Sequence, residues 1–176
     1  MEPYPAEWEK KTGGKRIVFV AVILCVGVIA SLGVVLFLST GTKETSVEFN
    51  ITAENGTSRF FARDLDGKLF NLSGTELFDL RVESLTGDIL IYNEAEGTAY
   101  MYSAENRVWT KASGSTGETV GYMMCPVVAA NLTLMKTHGM NDFTSGGTTI
   151  SNIHTDITIP DNYFKPPPGA TIMTSP

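Results

Sequence analysis

Residues 17–38 (IVFVAVILCVGVIASLGVVLFL) are 22 consecutive positions without a charge or a proline. As a helix, at ~1.5 Å per residue, the run reaches ~33 Å, enough to cross the ~30 Å hydrocarbon core of a bilayer. A helix in a globular core rarely goes that far without a polar stripe. A cleaved signal peptide is the rival reading, with Ser39-Thr40-Gly41 as its small-residue cleavage site. Signal peptides, however, hold only ~7–15 apolar residues. The run therefore predicts a single N-terminal transmembrane signal anchor at 17–38.

Flanking charge orients this anchor. Lys10, Lys11, Lys15 and Arg16 precede it, and Lys43 alone follows nearby. Basic residues stay on the cytoplasmic side, so residues 1–16 are expected as a cytoplasmic tail. Everything after the anchor is then extracellular or lumenal. Four N-x-[ST] sequons lie on that side, making Asn50, Asn55, Asn71 and Asn131 candidate glycosylation sites. The same segment carries 16 acidic and 9 basic residues. That balance excludes charge-driven binding of nucleic acid or anionic headgroups.

The two cysteines are Cys25, in the anchor, and Cys125 outside it. No disulfide can close within the outer domain, so an apolar core must hold it together. Cys125 is either a buried free thiol or one half of an interchain disulfide.

After a small-residue stalk at 39–45, residues 46–164 read as a β-rich domain, followed by a proline-rich tail at 165–176. Residues 46–52 alternate, with Val47, Phe49 and Ile51 on one face. Glu54-Asn55-Gly56 is a turn signal, and 59–63 is its hairpin partner. In 77–84, Phe78, Leu80 and Val82 alternate with Asp79, Arg81 and Glu83, the pattern of a half-buried strand with one wet face. Strands at 89–92, 98–103 and 107–111 follow across short turns. Residues 113–118 read as a loop. Pro126 argues against a continuous helix over 120–135, leaving a short helix from about Pro126 to Met135. A last strand is expected at 148–159. The predicted fold class is thus a transmembrane helix plus a mainly-β (α+β) outer domain. That domain is a curved antiparallel meander with one or two short helices.

Enzymatic chemistry finds little support. His154 and Asp156 could share a strand face, but two ligands do not make a stable metal site. Cys125 and His138 lack a nucleophile signature. No phosphate loop, dinucleotide fingerprint or calcium loop occurs. The expectation is a non-enzyme with no cofactor and no metal. Six methionines beyond Met1, and the aromatic set Tyr92, Tyr100, Tyr102, Trp109 and Tyr122, lean towards apolar binding.

The stretch GTAYMYSAENRVWTK at 97–111, preceded by Ile89-Leu-Ile-Tyr92, resembles the central hairpin of the LolA-like superfamily, above all its ependymin-related branch. Ile153, Ile157, Pro160, Phe164 and Pro166-Pro167 are similar to that family's closing strand and proline-rich exit. The resemblance implies a curved sheet holding a lipid-like ligand, lined here by Phe78, Leu80, Val82, Ile89, Ile91, Tyr100 and Tyr102. An anchor, a stalk and the strand pair Ile89–Tyr92 and Ala99-Tyr100 are also similar to BRICHOS-domain membrane proteins, which implies a chaperone-like module. A third reading is an accessory subunit of a larger membrane complex. Gly27 and Ser31 offer a small-residue surface for helix contact. The expected partners are membrane lipid and another membrane protein or a second copy, with no nucleic acid.

Overall fold

The computed structural model describes residues 44–72 and 76–174. The expected anchor at 17–38 with Gly27 and Ser31, the cytoplasmic tail and most of the stalk lie outside the described residues. No described helix is long and apolar enough to cross a membrane.

The described chain forms β1 (Thr45–Ala53), β2 (Gly56–Asp64), β3 (Asp79–Ser84), β4 (Ile89–Asn93), β5 (Thr98–Ser103), β6 (Val108–Ala112), α1 (Ser115–Thr137), β7 (Phe143–Ser145), β8 (Thr148–Thr155) and β9 (Ile172–Thr174). All nine strands join one sheet in the order β7-β8-β1-β2-β3-β4-β5-β6-β9. Each pairing is antiparallel except β6 with β9, which is parallel.

Strand alternation sorts the side chains onto two faces. One carries Val47, Phe49, Phe60, Ala62, Leu80, Val82, Leu90 and Tyr92. Phe49 stacks on its cross-strand partner Phe60 at 5.1 Å. α1 covers this face with Met124, Cys125, Val128, Leu132 and Met135. Fully burying one such side chain is worth ~1.5–3 kcal/mol. The opposite face carries Phe61, Ile91, Tyr100 and Trp109 and is covered by the chain after β8.

Two expectations about the fold class are corrected. First, the described residues hold one 23-residue α-helix rather than one or two short ones, and it runs through Pro126. The reason is topological. β6 and β7 lie seven strand positions apart, a distance of ~34 Å at ~4.8 Å per strand. A helix of 23 residues spans ~34 Å. Proline costs one helical hydrogen bond, and packing along the helix outweighs that loss. Residues 115–118, read as loop, form its first turn.

Second, the sheet is not an antiparallel meander. The meander is confined to β1 through β6. β8 returns beside β1, and β9 adds a parallel strand at the other edge. The strand expected at 148–159 ends at Thr155, where Asp156 takes a positive φ of 55° and turns the chain off the sheet.

Candidate functional site: the strapped face of the sheet

From Asp156 to Thr171 the chain crosses the sheet a second time, on the face away from α1, and reaches the far edge as β9. This strap has no strand partner for most of its length, so its backbone carbonyls need other donors. Successive strands supply them from side chains. The Ser46 hydroxyl, on β1, donates to the Ile157 carbonyl. Arg63, on β2, donates to the Ile159 carbonyl at 3.1 Å. Arg81, on β3, donates to the Tyr163 carbonyl at 3.0 Å. Asn93, ending β4, donates to the Phe164 carbonyl at 3.5 Å. At the edge the Trp109 amide, on β6, donates to the Thr171 carbonyl at 3.3 Å.

Arg63 anchors the first half of the strap. It is 5% exposed and forks onto Asp79, itself 4% exposed, at 2.7 and 3.2 Å. Its other arm meets Asp161 at 2.6 Å. Burial disfavours the Arg63 charge, yet hydrogen bonds to Asp79 and Asp161 outweigh it and its pKa is raised. The guanidinium lies 4.7 Å from the Phe164 ring centroid, and that of Arg81 lies 4.3 Å from the Tyr163 ring. Phe61 meets Tyr163 edge-on at 4.9 Å. Residues 157–164 are therefore held by charge, hydrogen bonds and aromatic packing together.

Beyond Phe164 the hold thins. Lys165 pairs with Glu96 at 2.6 Å on the surface. Tyr100 donates to the same carboxylate at 2.8 Å. Bonds from Lys165 and Tyr100 lower the Glu96 pKa, while burial and the Glu96 contact push that of Tyr100 up to about 12. Ala170 packs on the aromatic face, but Ile172, Met173 and Thr174 are all exposed. Beneath lie Tyr102 and Trp109, tilted against each other at 5.2 Å, with Lys111 over the Tyr100 ring at 5.9 Å.

The seven ligand-lining candidates do not converge. Phe78, Leu80 and Val82 are fully buried with α1. Ile89, Ile91, Tyr100 and Tyr102 belong to the strapped face. Pairing of Leu80 with Tyr92 and Val82 with Leu90 forces this split, because odd and even positions of β4 point to opposite faces. Asp79, Arg81 and Glu83, read as a wet face, lie under the strap. Arg59 and Arg63, four apart on β2, and Arg81 on β3 were the available signal, because three cations on one face of adjacent strands need partners.

Among the sequons, Asn55 is exposed in the β1–β2 turn and Asn71 is exposed, accepting from Lys136 at 3.1 Å. Asn50 is half-buried on β1. Asn131 is 3% exposed within α1 and donates to the Val127 carbonyl at 2.8 Å. Cys125 is a buried free thiol whose Sγ approaches the Phe78 carbonyl at 3.5 Å; burial pushes its pKa up to about 12. His138 stacks on Phe143 at 4.1 Å, away from Cys125's carbonyl contact. Among the described residues no three His, Cys, Asp or Glu side chains are grouped to hold a metal ion. No protein-family model matches the chain, and no curated protein matches it.

Proposed function

We propose that the chain is a membrane-tethered binding domain, displayed outside the cytoplasm, that takes an apolar, lipid-like ligand on the strapped face of its sheet. The observation that carries this reading is the uneven cover of that face. α1 seals its own face with a continuous helix. The strap is pinned at Arg63 and Arg81, whereas its far half, over buried Trp109 and half-buried Tyr102, ends in a strand whose own side chains are all exposed. Ile89, Ile91, Tyr100 and Tyr102 gather there with Trp109. Lifting residues 166–174 exposes this aromatic end while the first half of the strap stays docked. The apolar run at 17–38, read from the sequence as an anchor, would keep the domain beside a source of lipid, in keeping with the ependymin-related resemblance.

Native mass spectrometry of the gently extracted full chain tests the reading. An apolar adduct is expected, and Tyr102→Asp should remove it with the thermal transition kept. Absence of any adduct, together with no uptake of a fluorescent fatty acid, overturns the reading.

A specific observation favours a second reading, the accessory subunit. Tyr122 and Met123, adjacent on α1, are 57% and 61% exposed, an apolar pair on the surface that a partner could cover. Tyr122→Lys with Met123→Lys should then abolish co-purification of a membrane partner.

A further inference from the structure

The outer edge of β6 is closed by the chain's own β9, and the closure is thin. β9 has three residues, all exposed. It pairs in parallel, the less stable arrangement per residue, as Trp109↔Ile172, Thr110↔Met173 and Lys111↔Thr174. β6 has five residues, and among the described residues β9 pairs with three of them. β9 is reached through Lys165-Pro-Pro-Pro-Gly169, a proline-rich lead that carries few amides and turns at Gly169, where the Ala170 amide donates to the Pro167 carbonyl at 3.1 Å. A sheet edge with unpaired amides and carbonyls is a template for an added strand.

We propose that the β6 edge is an acceptor site for an extended peptide segment of another protein, which β9 occupies in cis as a weak substitute. The partner's chemistry follows from the register. A residue opposite Trp109 lands beside the Tyr102–Trp109 ring pair and is apolar, as Ile172 is. A residue opposite Lys111 is acidic or carries a hydroxyl, as Thr174 does. The paired stretch holds no proline. A second copy's β9 is a poor occupant. The resident β9 competes at an effective concentration on the order of mM set by its short lead, and an identical three-residue strand gains nothing over it. A foreign strand pairing along all of β6 does. Strand capture uses backbone groups at the edge and goes beyond the lipid reading, so it stands or falls apart from it.

The probe is a fluorescent synthetic peptide alternating isoleucine and glutamate, added to the full chain in lipid nanodiscs. Met173→Pro removes an amide from β9 and releases the edge, and the exposure of β9 predicts an unchanged melting transition. The peptide should bind this variant roughly tenfold or more tightly than the unaltered chain. A version of the peptide with N-methylated amides should not bind. Equal affinity for the two chains, no binding to either, or undiminished binding of the N-methylated peptide overturns the proposal. Dimers of the Met173→Pro chain in place of peptide binding also overturn it. Fatty-acid uptake is read in parallel, and its failure alone leaves strand capture intact.

Discussion

The ring of Tyr92, on β4, lies so close to Gly121 of α1 that a β-carbon at Gly121 would fall 2.7 Å from Cε2 of the ring. One helical turn earlier, a β-carbon at Gly117 would fall 2.6 Å from the Ala112 carbonyl. The two glycines share a helix face and let α1 lie directly on the sheet. Gly121→Ala is therefore predicted to destabilise the domain by about 1–3 kcal/mol, and Tyr92→Leu in the same chain should recover part of the loss. Urea unfolding measures both; an unchanged midpoint for Gly121→Ala contradicts the packing. The buried Tyr92 hydroxyl has no hydrogen-bond partner among the described residues. Tyr92→Phe should accordingly be neutral or stabilise by about 1 kcal/mol.

The buried Arg63–Asp79 pair makes a second prediction. Removing one partner strands a buried charge, so Asp79→Ala should cost about 3–5 kcal/mol. The Asp161 side chain is 88% exposed, and Asp161→Ala should cost no more than about 1 kcal/mol. Equal losses would show that the pair is not the anchor of the strap.

Glu96 makes the far half of the strap sensitive to acid. Its folded pKa is lowered by Lys165 and Tyr100. A lowered carboxylate pKa contributes stability present above the unfolded value, near 4.5, and lost as pH falls through the folded one. Residues 165–174 should loosen below that pH while 157–164 hold. Glu96→Gln should remove the pH dependence, read as the linewidths of Ala170 and Ile172 in an NMR titration.

Much of the sheet was legible because alternation with turn chemistry is a local signal. The Glu54-Asn55 turn, the even positions 78, 80 and 82, and the strand at 98–103 stand where their residues place them. α1 was not legible at its N-terminal half. Gly117, Gly121 and Pro126 are poor helix formers, and the two glycines are needed because the helix lies directly on the sheet there. The strap was equally hidden. Arg81 and Glu83 look like solvent-facing residues until Tyr163, some 80 positions away, is laid over them. β9, three residues long, carries no periodicity to read.

Glycan occupancy should follow exposure. Asn55 and Asn71 are open to solvent, whereas the Asn131 amide is spent inside α1. Glycopeptide mass spectrometry of folded protein from a eukaryotic host should find sugar on the first two and none on Asn131. A fully occupied Asn131 is incompatible with α1 packed as described.

Hydrogen exchange on the full chain, with and without a saturating fatty acid, tests the proposed binding face most directly. Ligand on the strapped face predicts changed exchange at 100–111 and 166–174, with α1 and 157–164 unaltered. Unchanged exchange throughout, or changes along α1 and Leu80 instead, would contradict it.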